Sequence, residues 1–394
     1  MSQQFLIPTY ARQPVAFVRG EGVWLFDENG DKYMDAISGI GVCNLGHCHP
    51  AVSRTLAEQA GQLMHTSNLY RIPAQEALAQ RLCEISGMQR AFFSNSGAEA
   101  NEAAIKIARL YGNRKSIAKP TVIVMEGSFH GRTMATLSAT GNSKVQEGFA
   151  PLLEGFVRVP FNDTDAIAAL ADNQNIVAVL VEPVQGEGGI NIPDTGYLQA
   201  LRQLCDQHDW LLMLDEIQSG NGRTGHYFAY MGDNVVPDVL TTAKGLGNGF
   251  PIGACLVAGK AEDVFGPGTH GSTYGGNPLG CATALTVVNT LTDDVVDGVA
   301  AKGEQLKAAF LSALADVPLV TEIRQKGLML GIQLDRPCGE LVNSAREAGL
   351  LINVTAGSVV RLLPPLVISE AEMHTLVESL SAVIRTFANA QEVA

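Results

Sequence analysis

The sequence predicts an α/β protein, a mostly parallel sheet covered by helices on both faces, followed by a smaller α+β lobe. Three observations predict it. Short runs of wholly apolar residues recur, among them Thr121-Val-Ile-Val-Met, Ile176-Val-Ala-Val-Leu-Val and Trp210-Leu-Leu-Met-Leu, and strands apolar on both faces are buried between two layers. Helical stretches at 98–111 and 197–208 alternate with these runs, as crossover connections require. After Pro278 the texture changes to helix, short strands and a closing amphipathic helix over about 369–388.

Taken in order, the chain opens with short antiparallel strands at Val15-Ala-Phe-Val-Arg-Gly, Val23-Trp-Leu-Phe-Asp and Lys32-Tyr-Met-Asp, separated by Glu-Gly and Glu-Asn-Gly-Asp turns. A glycine-rich segment over 38–46 leads into a helix that ends near Gln62. Further strands are expected at Arg90-Ala-Phe-Phe-Ser, Val239-Leu-Thr-Thr-Ala and Ala254-Cys-Leu-Val-Ala. Residues 279–310 read as one long helix. Strands near Leu328-Met-Leu-Gly-Ile, Leu350-Leu-Ile-Asn-Val and Val359-Val-Arg-Leu-Leu follow it. No internal repeat or low-complexity tract interrupts this order.

At 394 residues, 46% apolar and 17% charged, the chain suits one large and one small lobe. A formal net charge of −13 disfavours nucleic acid or an anionic membrane as partner, so an anionic ligand needs local arginines or helix ends. Seven dispersed cysteines, none in a C-x-x-C pair, indicate free thiols in a reducing, cytoplasmic setting. The opening Met1-Ser-Gln-Gln-Phe-Leu-Ile-Pro has no leader pattern, and no apolar run approaches a membrane span. His47-Cys48-His49 is spaced too tightly for a usual zinc site, so no metal is expected.

The chemistry centres on Val239-Leu-Thr-Thr-Ala-Lys244-Gly-Leu-Gly-Asn-Gly, an apolar run ending in a lysine beside permissive backbone. Burial disfavours an ammonium, so such a lysine serves as an amine nucleophile near neutral pH. A lone Lys-Gly pair is more often a surface turn; its neighbours change the reading. Asp215 ends the run from Trp210, at the strand end where open α/β sheets bind ligands, and can face a cationic ring nitrogen. Ser94-Asn-Ser-Gly97-Ala98-Glu99 opens a helix whose free amides suit a phosphate, although an ordinary capped helix would look the same. Phe129 offers a ring to stack on a planar cofactor, and Arg132 a fork for a carboxylate. Glu182 and Glu187 form an acid/base pair or simply pair with arginines. Arg361, a cation in an apolar strand, needs a partner. The loop Thr269-His-Gly-Ser272-Thr273 carries hydroxyls suited to phosphate. Gly220-Asn-Gly-Arg-Thr-Gly matches G-x-G-x-x-G but starts five residues after Asp215 and opens no clean helix, so it reads as a turn-rich loop.

Together, Asn44-Leu-Gly-His-Cys-His-Pro, Ser94-Asn-Ser-Gly-Ala-Glu-Ala-Asn-Glu, Phe129-His-Gly-Arg-Thr, Glu182-Pro-Val-Gln-Gly-Glu-Gly-Gly, Leu214-Asp-Glu-Ile-Gln-Ser-Gly and the Lys244 loop resemble the class III aminotransferases. These are pyridoxal 5'-phosphate enzymes of fold type I, and the likeness runs from Tyr10 to the final helix. The resemblance implies an N-terminal segment (1–50) packing on the small domain and active site, a large cofactor-binding domain (51–278) and a small domain (279–394) that begins with a long connecting helix. It implies that Lys244 carries the cofactor covalently and then shuttles a proton, that Asp215 pairs with the ring nitrogen, and that Gln218 bonds the phenolic oxygen. Phe129 would stack on the ring, and Gly97 and Ala98 would hold the phosphate. Thr273 would reach that phosphate from the second subunit of a homodimer. Arg132, Ser272, Tyr10 and Ile40 are implied in substrate binding. Arg361 would hold the carboxylate of 2-oxoglutarate or glutamate, with Glu187 neutralising it in the other half-reaction. The implied reaction moves the terminal amine of N-acetylornithine to 2-oxoglutarate. N-succinylornithine, N-succinyl-diaminopimelate and 4-aminobutyrate are the alternative donors. Ornithine aminotransferases of this family carry tyrosine in place of Ile40, which points away from a free α-amine. Asn248 stands where relatives often have glycine, with no expected effect on catalysis. Outside this class, a nicotinamide-dependent oxidoreductase using the Gly220 loop would be colourless, and a non-catalytic binding protein would not need Lys244.

Overall fold

The computed structural model describes residues 5–392. The first four residues of the opening stretch examined for a leader lie outside the described residues. The N-terminal strands β1 (Phe17–Glu21), β2 (Trp24–Asp27) and β3 (Lys32–Asp35) form the expected antiparallel meander. The core follows, with β4 (Arg90–Ser94), β5 (Thr121–Met125), β6 (Phe156–Val159), β7 (Ile176–Val181), β8 (Leu211–Asp215), β9 (Val239–Thr242) and β10 (Gly253–Val257). Their order is β4-β10-β9-β8-β7-β5-β6. Every neighbouring pair is parallel except those of β10, which runs against both β4 and β9.

All six residues of β7 and all five of β8 are buried, which is why these strands lack polar alternation. Each fully buried Val or Leu here contributes about 1.5–3 kcal/mol, so an aspartate at Val179 would break the layer. Helix Gly97–Arg114 lies across the sheet through Ala100, Ala103, Ala104, Ile107 and Ala108, whose small side chains let it approach β9 and β10. Helix Pro73–Ser86, not anticipated above, carries its own signals, Pro73 in the first turn and Gly87 in the left-handed conformation after the last.

The third sheet contains β11 (Val320–Lys326), β12 (Met329–Leu334), β14 (Asn353–Thr355) and β15 (Val359–Leu362), in the order β11-β12-β15-β14. Two expectations are corrected in this half. The stretch near Leu350 is two strands: β13 (Leu350–Leu351) runs parallel to β3 in the N-terminal sheet, whereas β14 pairs with β15. The long helix of 279–310 is also two, Pro278–Thr290 and Asp293–Ala313. Thr292 is extended between them, and Asp293 and Asp294 occupy the first turn of the second helix, where the helix dipole favours carboxylates. The first of the pair is mostly buried, against helices Pro50–Ala60 and Pro73–Ser86, whereas the second is amphipathic.

Candidate active site

A cavity of about 380 Å³ opens at the ends of β8 and β9 and the start of helix Gly97–Arg114. Nine of the residues singled out above line it: Gly97, Ala98, Phe129, Arg132, Glu182, Glu187, Asp215, Gln218 and Lys244. Arg361 stands just behind the wall, bonded to two of these. Ser272 is one side chain removed, its hydroxyl 3.4 Å from the Asn95 amide that also lines the cavity. Thr273 is exposed, as are Tyr10 and Ile40, and none of the three reaches the lining.

Lys244 follows β9 with φ +44, in the left-handed region that costs a non-glycine residue about 1 kcal/mol or more. Gly245 comes next because a Cβ there would sit 2.3 Å from the Asn44 side chain. The amine is enclosed by protein but open to the cavity, and that burial lowers its pKa; Glu187 and Asp215 act in the opposite sense. Asn248 is also left-handed, which suits glycine or asparagine. Its side chain accepts from the Leu45 amide at 2.8 Å and donates to the Gly46 carbonyl at 3.1 Å, clamping the loop that bears Lys244 to the N-terminal segment.

Asp215 is buried and, among the described residues, meets no lysine or arginine. Its Oδ2 accepts from Asn101 Nδ2 at 2.7 Å and from His130 Nδ1 at 2.7 Å; Oδ1 accepts only from the Ile217 amide at 3.1 Å. A carboxylate accepts only, so His130 donates from Nδ1. Its buried Nε2 has no hydrogen-bond partner among the described residues.

On the opposite wall, Arg361 Nη1 donates to Glu187 Oε1 at 2.6 Å and to Gln218 Oε1 at 3.4 Å, while Nε donates to Asn353 at 3.0 Å. Arg361 is fully buried and the Glu187 carboxylate is not, its side chain being 32% exposed. Burial alone would raise the Glu187 pKa, but the guanidinium outweighs it and the pKa is lowered. Glu182, whose carboxylate accepts from the Phe129 amide at 3.1 Å, is held well above the usual carboxylate range by burial and then by Asp215.

The donor set suits a phosphorylated, aldehyde-bearing pyridine. At the start of helix Gly97–Arg114, Ser96 caps the Glu99 amide, and the Gly97 and Ala98 amides have no intrahelical acceptor. Gly97 is also where a Cβ would lie 2.8 Å from Ile217, so the backbone itself forms the cradle. Phe129 supplies a ring, Asp215 an anion for a cationic nitrogen, and Lys244 the amine. Asn101 and His130 have no role in the sequence reading, although both lie inside quoted motifs. A polar residue on the apolar face of helix Gly97–Arg114 was the available signal.

Other motifs resolve into structure. Arg223 of the Gly220 loop is fully buried and donates to the Leu328 and Pro364 carbonyls and to Asn44, so this loop ties lobes together. Burial with no acidic partner lowers its pKa to about 9. His47 pairs with Asp35 at 2.8 Å. Among the described residues no group of three His, Cys, Asp or Glu side chains is placed to hold a metal, and no helix is long and apolar enough to cross a membrane.

Fold and cavity together define an enzyme that handles amino groups through a bound pyridine aldehyde. Residues 7–384 match the family model for class III aminotransferases. The chain is 55% identical over 381 residues to the acetylornithine aminotransferase of Nitrosomonas europaea, covering 96% of this chain and 97% of that one. Among solved structures it is similar to the ornithine aminotransferase of Toxoplasma gondii, with a TM-score of 0.95 and 34% identity over 98% of this chain and 94% of that one. It is also similar to the N-acetylornithine aminotransferase of Stenotrophomonas maltophilia, with a TM-score of 0.85 and 36% identity over 97% and 98% of the two chains. The chain belongs to the class III aminotransferases, and its cofactor is pyridoxal 5'-phosphate.

Proposed function

We propose that the protein transfers the terminal amino group of N2-acetyl-L-ornithine to 2-oxoglutarate, forming N-acetyl-L-glutamate 5-semialdehyde and L-glutamate. The supporting observation is the 2.6 Å pair between Arg361 and Glu187 at the cavity wall, in a chain 55% identical to a relative named for acetylornithine. A cavity that presents either a neutralised or a free arginine can take two substrates of different shape in turn. With the pair closed, the neutral wall admits the aliphatic ω-amine arm, and Arg132 at the mouth holds the distant α-carboxylate. With Glu187 swung aside, Arg361 binds the carboxylate next to the keto group of 2-oxoglutarate.

Bound in the cradle, pyridoxal phosphate supplies the aldehyde that takes up the amine and a ring that spreads carbanion charge. The chain does the rest. Lys244 Nζ would take a proton from the donor's reacting carbon and pass it on to the cofactor, and its lowered pKa keeps it able to accept that proton. Asp215 keeps the ring nitrogen cationic, Phe129 covers one ring face, and Gln218 fixes the phenolic oxygen. Gly97 and Ala98 bind the phosphate. The exposed Thr273 reaches the phosphate of the second subunit's site in a homodimer, and Ser272, Tyr10 and Ile40 border the donor. Seven free cysteines suit a cytoplasmic enzyme. Residues 1–50 serve as an N-terminal segment packing on the small domain and active site, 51–278 as the large cofactor-binding domain and 279–394 as the small domain.

The shape likeness to an ornithine enzyme favours free ornithine as a second reading. Comparing kcat/KM for N-acetylornithine, ornithine, N-succinylornithine, N-succinyl-diaminopimelate and 4-aminobutyrate with 2-oxoglutarate tests both. A preference for N-acetylornithine supports the proposal, and a preference for any other donor rejects it.

A further inference from the structure

Asn101 lies on helix Gly97–Arg114, on the face against the sheet, and is fully buried. Its amide uses every hydrogen bond in reach. Nδ2 donates one hydrogen to Asp215 Oδ2 at 2.7 Å and the other to the His130 carbonyl at 2.8 Å. Oδ1 accepts from the Thr241 hydroxyl at 2.7 Å. Two acceptors on one side and a donor on the other fix which end of the amide faces Asp215. One side chain thereby joins the ends of β8 and β9, the 127–133 loop and the phosphate-binding helix.

Asp215 is a buried carboxylate whose other donors are His130 and one backbone amide. A buried carboxylate so placed keeps its orientation only while its donors are present. Asn101 and His130 both take Oδ2, which leaves Oδ1 with a single long bond and room for a ligand. A neutral amide also donates without cancelling the charge, as a lysine or arginine would.

We propose that Asn101 is a positioning residue, which with Thr241 behind it holds Asp215 turned so that Oδ1 meets the cofactor's ring nitrogen. This rests on the proposed role of Asp215, and a control separates the two. Asn101→Leu removes the bonds at similar volume, and Asn101→Asp places a second carboxylate against the first, so that the two must share a proton. Thr241→Val removes only the hydroxyl and guards against a misfolded Asn101 variant.

The measurement is the equilibrium dissociation constant of the apo-protein for pyridoxal phosphate and for its analogue with C–H in place of the ring nitrogen. Folding is checked by circular dichroism. The native protein prefers the natural cofactor. Asn101→Leu and Asn101→Asp are expected to lose roughly tenfold or more of that preference, the worth of a hydrogen bond to a charged group. Thr241→Val loses a smaller part, and Asp215→Asn loses nearly all. A purely structural role for Asn101 would weaken both ligands alike and leave the preference intact, which overturns the proposal. An unchanged preference in Asp215→Asn overturns it too, together with the role of Asp215, and says nothing about donor choice.

Discussion

Arg361 and Glu187 come from the third sheet and from the loop after β7, 174 residues apart, and meet at 2.6 Å beside the catalytic cavity. The guanidinium is fully buried while the carboxylate keeps a solvent-facing side. The pair is therefore asymmetric in exposure, with solvent reaching only the Glu187 side.

Removing each partner has a different consequence. Arg361→Ala is expected to raise the KM for 2-oxoglutarate roughly 10- to 100-fold, the worth of a lost charge-assisted contact. The half-reaction with N-acetylornithine should be much less affected. Glu187→Gln leaves the buried cation unpaired, so it should slow the donor half-reaction and lower stability by about 1–2 kcal/mol, discounted from a fully buried pair. Single-turnover absorbance changes follow each half-reaction separately.

The Asp35–His47 pair gives a pH dependence. Asp35 also accepts from the Ile37 and Ser38 amides at 3.0 and 2.8 Å, so it anchors the turn that carries Ile40. Bonds to Asp35 and then to Cys43 raise the His47 pKa from its ordinary 6.5 to about 10, against the effect of burial. The folded protein thus holds a proton that the unfolded chain releases. The pair's contribution is complete below about pH 6.5 and is lost as pH rises towards about 10. Urea denaturation between these values should show falling stability, and His47→Gln should flatten the slope.

Ile40 is a branched residue at φ +68, within a run from Ser38 to Gly41 that is left-handed throughout. A branched side chain there costs about 1–2 kcal/mol, and asparagine tolerates the conformation better. Ile40→Asn is expected to raise the denaturation midpoint while lowering the preference for N-acetylornithine over ornithine. A stabilised variant with unchanged selectivity would detach Ile40 from donor recognition.

What could be read from the chain follows from how local each signal is. β5, β7 and β8 announce themselves because burial on both faces leaves runs that are apolar but for Thr121 at the start of β5 and Asp215 at the end of β8. Lys244, Asp215 and the start of helix Gly97–Arg114 stand at the ends of such runs, so the site was legible as well. The division of Leu350–Leu351 from Asn353–Thr355 was not, because it depends on β3 and β15, far away in sequence. The helix break was legible in principle, since Thr292-Asp293-Asp294 is a start signal inside an otherwise helical pattern. Asn101 shows its importance only once the fold brings Asp215 and Thr241 to it.

Lys244 is proposed to carry the cofactor through its side-chain amine. Borohydride reduction of the yellow holoenzyme, followed by digestion and mass spectrometry, tests it most directly. The expected result is bleaching of the visible band and a single phosphopyridoxyl adduct on Lys244, absent from Lys244→Ala. An adduct on another lysine, or the same labelling in Lys244→Ala, would contradict it.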